Sequence, residues 1–444
     1  MSHLLITNAQ VLTVSPDGDR AIVTPDQEVL VKGNRIEAVQ PISSADPSHF
    51  DTVIDANGML LMPGLINCHA HVPMVLWRGL AEDASVERWF NDLMWPLENN
   101  LQAEDVYWGM LLGLIEQIES GVTAAADHYF HMQYAAQAVE KIGARALLGY
   151  AMFGSQGLAM VEQTAQFVSE YQGTAGGRIR TIMAPHAPYT CDDDFLRASA
   201  KAAQKLGVGI HIHVSETTQQ TIASLRKRGI TPVQVLEQTG ILEVPTILAH
   251  VCGATPADIR LMEKYPVGIA HAVKTYLKLG MGSAPLLEFA AAGLPIGLAS
   301  DGVVSNSTLN LWETLRLMAL TQKERAGIGE AMPIAQALAI ATQGSARVYG
   351  LPGELGAVTP GYLADLILID LSGTHHQPLY NLPASLVYNL QAHDVQTVII
   401  DGQVVMRDRR LLTIDKAEVF AQVRSRMERL SSIDPAKRIQ TYDN

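Results

Sequence analysis

The sequence predicts an α/β chain: a (β/α)8 barrel of the TIM type, with a small β-sandwich built from both chain ends. Two observations predict it. Eight short apolar runs alternate with helical spacing through the middle of the chain, and β-rich segments with turn signals occupy both ends. The expected divisions are 1–61 for the first part of the sandwich, 62–352 for the barrel, 353–412 for the second part of the sandwich and 413–444 for a C-terminal helical segment.

Taken in order, residues 4–6, 10–14 and 28–31 read as short strands, and Lys32-Gly33-Asn34-Arg35 reads as a hairpin turn into a strand over 36–39. The eight apolar runs are 61–67, 122–127, 146–152, 180–184, 208–213, 246–250, 267–270 and 295–300. Helical segments separate them, among them 103–119 and 193–206. Thr255-Pro256-Ala257-Asp258 opens another, with a capping-box arrangement and Pro in the first turn. Past the barrel, 364–369 is a compact apolar strand, and 395–400, Asp401-Gly402 and 403–406 form a strand, a favoured turn and a strand. Val419, Val423 and Met427 carry helical spacing over 416–430.

Composition narrows the function classes. Of the 444 residues, 48% are hydrophobic and 17% charged, which suits a large buried core rather than a disordered chain. The net charge is −13 and Lys and Arg form no run longer than the three of Arg226-Lys227-Arg228, so a nucleic-acid partner is not expected. No run approaches the ~18 apolar residues of a membrane span. The first 14 residues lack the basic and apolar regions of a signal peptide. Cys68, Cys191 and Cys252 are odd in number, far apart and without a C-x-x-C pair, so neither a disulfide framework nor a cysteine zinc site is expected. These features point to a cytoplasmic protein.

Barrels of this type carry their chemistry where strands end, at the C-terminal face. The polar residues of the eight runs gather there. The first run ends in His69-Ala70-His71, the fourth at His186, the fifth in His211-Ile212-His213-Val214-Ser215-Glu216, the sixth at His250, the seventh at His271 and the eighth at Asp301. His69 and His71 lie two apart on a strand and project to one face, so both imidazoles can bind one ion. One of His211 and His213 supplies a third ligand. His213 lies nearer the strand end, which leaves His211 as a buried imidazole one layer deeper. Asp301 is the fourth candidate, and Glu216 follows His213 closely enough to reach a metal-bound water. Three neutral imidazoles and one carboxylate suit Zn2+, with Fe2+ as the second choice.

Pro63-Gly64-Leu65-Ile66-Asn67-x-His69-x-His71, His213-x-x-Glu216, Ala249-His250 and Ser300-Asp301-Gly302-x-x-Ser305-Asn306 resemble the amidohydrolase superfamily. More narrowly, they resemble its methylthioadenosine/S-adenosylhomocysteine deaminase group, a neighbour of the triazine chlorohydrolases. Gly353-Glu354-Leu355-Gly356 through Gly361-Tyr362-Leu363-Ala364-Asp365-Leu366 matches that group's return into its sandwich. The resemblance implies a hydrolytic deaminase of an aminopurine nucleoside, acting on a small heterocyclic substrate and assembling as a homodimer or higher homo-oligomer. It implies His69, His71, His213 and Asp301 as metal ligands, His250 as partner of the attacking hydroxide and Glu216 as proton shuttle. Trp89 and Glu98 match positions lining the nucleoside pocket, with Glu98 facing the ribose hydroxyls, and His186 and Ser305 match further pocket positions. Relatives that accept S-adenosylhomocysteine hold its carboxylate with arginines at and after the third strand, where this chain has Tyr150.

Two-metal members bridge their ions with a modified Lys at the end of the fourth strand. Thr181-Ile182-Met183-Ala184-Pro185-His186 offers none, so one metal per chain is expected. The chain departs from the group at His271-Ala272-Val273-Lys274-Thr275-Tyr276 and at Thr217-Thr218-Gln219-Gln220. Both stretches flank the site and bear on substrate identity. The alternatives are the same metal chemistry on a chlorotriazine, a pterin or a free base of the guanine or 8-oxoguanine type, and a non-catalytic scaffold barrel. The scaffold is disfavoured because all four ligands are present.

Overall fold

A computed structural model describes residues 3–42, 45–434 and 436–439. One of its two nine-stranded sheets consists of parallel strands that follow one another in chain order. They are Leu65–His71, Val122–Tyr129, Arg145–Met152, Ile179–Pro185, Ile210–Val214, Thr246–His250, Val267–His271 and a broken eighth strand, Ile296–Leu298 with Asp301–Gly302. The two pieces of the eighth strand close the sheet. Ile296–Leu298 pairs with the seventh strand, while Asp301 and Gly302 pair with Ala70 and His71 of the first. The result is the (β/α)8 barrel.

The break has a local cause. The Ser300 amide donates to Asn67 Oδ1 at 3.0 Å, and Asn67 Nδ2 donates to Ser300 Oγ at 2.7 Å. Asp301 then takes a left-handed φ of 61°, which turns its carboxylate onto the first strand. The apolar run over 295–300 predicts a single strand ending before Asp301, and this side-chain latch divides it.

Helices cover the barrel, and their boundaries follow capping chemistry. Asp192 accepts the Phe195 amide at 2.8 Å to start Asp193–Leu206, and Gly207 ends it at φ 66°. Phe195, Leu196, Ser199, Ala200 and Ala203 form its buried stripe. Because Asp192 is exposed, Asp192→Ala should lower stability by about 1 kcal/mol. Urea titration should show the shifted midpoint.

The second sheet runs in the order Arg410–Leu411, Gln403–Arg407, Val395–Ile400, Leu366–Ile369, Leu60–Pro63, His3–Val14, Ala21–Lys32, Arg35–Pro41, and Thr52–Asp55 also pairs with His3–Val14. Both chain ends therefore build it, joined where Leu60–Pro63 pairs antiparallel with Leu366–Ile369. The 61–67 run is in fact two strands in two sheets. They separate at Gly64, where a Cβ would lie 2.2 Å from the Thr123 side chain. Conversely, 4–6 and 10–14 belong to one strand, His3–Val14, irregular where Asn8 takes a φ of 54°. Asp401 and Gly402 both have positive φ, as the hairpin turn requires.

Buried Arg145, at the start of the third barrel strand, binds Asp365 with both Nε and Nη2, at 2.8 and 2.9 Å, and reaches Asp401 at 2.9 Å. This bidentate pair fastens the second sheet to the strand's N-terminal end and leaves the opposite face of the barrel open. At the C-terminus, the helix expected over 416–430 is two pieces, Lys416–Arg424 and Met427–Leu430. Val419 and Leu430 are buried but Met427 is 57% exposed, so the apolar stripe does not run through. Of the expected segment 413–444, Pro435 and residues 440–444 lie outside the described residues, as do residues 1–2 at the other end. The three cysteines are buried and unpaired.

Candidate metal centre and active site

The open face is built at the strand ends, where the backbone leaves the parallel ladder. Ser215, His250, Val251 and Asp301 all take left-handed φ, between 46° and 77°, and all are buried. Such conformations cost of order 1–3 kcal/mol each in non-glycine residues and persist where surrounding structure fixes them. Here they turn His250 and Asp301 toward the barrel axis.

His69 and His71 share one strand face, and each presents Nε2 to Asp301 Oδ1 at 3.3 Å. His213 Nε2 lies 3.3 Å from His71 Nε2. Ligand-type atoms of His69, His71 and Asp301 lie within 4.8 Å of one another, and so do those of His69, His213 and His250. The other ring nitrogens are engaged. His71 Nδ1 donates to the His128 carbonyl at 2.6 Å, His213 Nδ1 to the His186 carbonyl at 2.8 Å, and His69 Nδ1 pairs with His211 Nε2 at 2.8 Å. Fixing Nδ1 in this way orients Nε2 as the ligand atom. His211 thus lies one layer below the centre and positions His69.

Electrostatics agree with a cation. Burial pushes the His69 imidazolium down to about 3 and His213 well below its ordinary value, which keeps both neutral, the form that ligates metal. Burial also opposes charge on Asp301, but His69 and His71 outweigh it and hold the carboxyl well below its usual range. Among the buried atoms, His69 Nε2 makes no hydrogen bond. An unpaired imidazole nitrogen beside an anionic carboxylate and two further imidazoles is the donor set of a divalent-metal site.

A cavity opens from this centre at the C-terminal face of the barrel. Trp89, Glu98, His186, Glu216, His250 and Ser305 all line it. Glu216 is 4% exposed, and its Oε1 accepts from Tyr189 Oη at 2.8 Å and Gln220 Nε2 at 3.3 Å. Ser305 Oγ donates to Asp301 Oδ2 at 2.8 Å, so it braces a metal-facing carboxylate as well as forming wall. His186 stacks on Phe153 at 4.6 Å. Glu98 accepts from Tyr129 Oη at 2.6 Å, and burial pushes its carboxyl up to about 7. The buried Trp89 Nε1 has no hydrogen-bond partner.

Tyr150 is the exception. Ala151 lines the cavity and the preceding Tyr150 points the other way, packing on Phe167 of the helix Leu158–Tyr171 at 6.0 Å. Several wall residues are absent from the sequence reading. His128 closes the second strand with both ring nitrogens buried and unpaired, its ring 4.9 Å from that of His213. Its neighbour Asp127 accepts the Val72 amide at 2.8 Å and secures the turn after His71. The signal was present in Asp127-His128-Tyr129, three polar residues ending an apolar run.

Fold, donor set and cavity together define a metal-dependent hydrolase on a (β/α)8 barrel. The amidohydrolase family model matches residues 60–405, and the chain belongs to that family. It is 41% identical over 435 residues to a 5-methylthioadenosine/S-adenosylhomocysteine deaminase of Pelotomaculum thermopropionicum, covering 97% of this chain and 99% of that protein. A protein of the same description from Carboxydothermus hydrogenoformans is 37% identical, with 95% and 97% covered. Among solved structures, an adenosine deaminase from Xanthomonas campestris with bound zinc superposes with a TM-score of 0.89 at 30% identity, covering 97% and 98%. An atrazine chlorohydrolase from Arthrobacter aurescens TC1, complexed with zinc, superposes at 0.86 with 24% identity, covering 96% and 100%, and shares the fold. No helix among the described residues is long and apolar enough to cross a membrane.

Proposed function

We propose that this chain hydrolytically deaminates an aminopurine nucleoside of the 5′-methylthioadenosine or adenosine type, releasing ammonia and the 6-oxo product. The observation that carries the reading is one cavity holding a His3Asp donor set, a tethered carboxylate in Glu216 and a second buried carboxylate in Glu98. The names of the relatives add weight to the substrate class.

His69, His71, His213 and Asp301 would hold one Zn2+. When bound, such an ion lowers the pKa of water from 15.7 to about 7 and so supplies hydroxide at neutral pH. Asp301 and His250 take and orient the proton of the attacking water. Protonated Glu216 delivers its proton to the ring nitrogen beside the reacting carbon, the proton held by Asp301 passes to the exocyclic amine, and ammonia leaves as the new hydroxyl returns its proton to Glu216 and becomes the 6-oxo group. Glu98 accepts from the ribose hydroxyls, and the aromatic wall around Trp89 and Phe153 excludes bulk water.

The rate of the stripped chain should rise with free Zn2+ as a single-site hyperbola. A sigmoidal dependence that requires two ions for turnover would contradict a single catalytic ion. Tyr189→Phe removes one hydrogen bond to Glu216 and leaves Gln220 in place. Such a bond is worth about 0.5–1.5 kcal/mol, so kcat should fall about 2- to 12-fold with KM little changed. Unchanged kcat would mean that Tyr189 does not position the shuttle.

The reading itself is tested by an ammonia-release screen of metal-loaded protein. The panel is adenosine, methylthioadenosine, S-adenosylhomocysteine, guanine, 8-oxoguanine and pterins, with chloride release from chlorotriazines in parallel. Turnover confined to a free base, a pterin or a chlorotriazine would overturn it.

A further inference from the structure

We propose a second divalent-cation site, structural in role, formed by His375, His376, His393 and Asp394 on the second sheet. Asp394 immediately precedes the strand Val395–Ile400, and the two adjacent histidines lie in the short helix Thr374–His376 that follows Leu366–Ile369. The loop and the turn that flank Leu382–Tyr388 therefore meet at one carboxylate.

The geometry is that of a ligand shell. His375 Nε2 and His376 Nε2 approach Asp394 Oδ2 at 2.9 and 3.1 Å, and His393 Nε2 lies 3.4 Å from Oδ1. Ligand-type atoms of His375, His376 and Asp394 all fall within 4.8 Å of one another. Metal–ligand bonds of about 2.0–2.2 Å in a tetrahedron place ligand atoms roughly 3.3–3.5 Å apart. The three carboxylate–imidazole spacings lie within about half an ångström of that, and the exposed His393, which faces Oδ1 while the other two face Oδ2, would turn to join them.

The shell is also braced from behind. The fully buried His376 engages Ser385 Oγ through Nδ1 at 2.7 Å, which directs Nε2 at Asp394. The Gln391 amide donates to Asp394 Oδ2 at 2.8 Å and fixes the carboxylate. A partner on the far nitrogen of a ligating imidazole characterises metal sites, while the Gln391 amide shares the oxygen that His375 and His376 face. Charge alone would call for one imidazolium beside Asp394, yet three imidazoles converge on it. Three imidazoles and a carboxylate suit Zn2+.

None of the four residues lines the catalytic cavity, so the site does not depend on the reaction assigned above. An ion there would cross-link the two segments and add to stability without touching turnover.

Equilibrium dialysis of the full chain against Zn2+ tests it, with His375→Ala/His393→Ala as the variant. Those two side chains are 32% and 71% exposed, so the variant keeps its buried packing. Wild type is expected to bind two ions, and the variant one, with unchanged kcat and a thermal midpoint that no longer responds to the second equivalent. In a His69→Ala/Asp301→Asn chain, the remaining ion should be the one the first variant loses. One ion in wild type, two in the His375/His393 variant, or loss of kcat in that variant would each overturn the proposal.

Discussion

Glu216→Gln is expected to lower kcat about 10²- to 10⁴-fold while the chain retains its metal, because a proton shuttle acts in the chemical step and not in ligation. Glutamine keeps the size of the side chain and can still meet the Tyr189 hydroxyl, so the wall of the cavity is preserved. It cannot deliver a proton to a ring nitrogen. The structure adds a reason to expect a clean result. Glu216 stands three residues beyond His213, yet its Oε1 is engaged by Tyr189 and Gln220, and it belongs to none of the potential ligand groups. Metal content by elemental analysis should therefore match wild type. Near wild-type turnover would remove Glu216 from the mechanism, and loss of the metal would make it part of the ligand shell.

The catalytic end of the barrel was legible because chemistry interrupts hydrophobicity there. In a parallel sheet both faces of each strand are buried, so strands read as unbroken apolar runs and a polar residue at the end stands out. His69, His71, His213, His250 and Asp301 all announce themselves in this way, and the structure gathers them at one centre. The same burial hides which way a side chain points. All eight residues of Val122–Tyr129 are buried, so no alternation distinguishes the face bearing His128. Tyr150 shows the cost most clearly, since its direction depends on register against neighbouring strands and nothing within 145–152 marks it. The division of 61–67 at Gly64 escaped for a similar reason. Two strands of different sheets abut without a polar side chain between them, and the local mark of the junction is Pro63-Gly64, which lies inside an otherwise continuous apolar run. The His375, His376, His393 and Asp394 cluster joins segments 18 residues apart, which spacing along the chain does not suggest.

Neutral 5′ substituents, as in methylthioadenosine or adenosine, should be preferred over the charged amino-acid tail of S-adenosylhomocysteine. The sequence contains no Lys or Arg from 146 to 177, the stretch at and after the third strand. Among the described residues, the structure extends that absence to the cavity, whose wall includes no lysine or arginine, while Glu98, Glu216 and Asp301 supply its acidic groups. Tyr150 does not compensate, because it faces Phe167 rather than the cavity. A carboxylate entering this space would lose its hydration without gaining a lysine or arginine partner. A charge-assisted hydrogen bond is worth about 1.5–3 kcal/mol, so its absence should cost about 10- to 150-fold in kcat/KM. Measuring kcat/KM for methylthioadenosine and S-adenosylhomocysteine under the same metal loading decides the matter. Equal values, or a preference for the zwitterion, would mean that a cation reaches the bound tail from another subunit, and size-exclusion chromatography of the active species would then identify the assembly that supplies it.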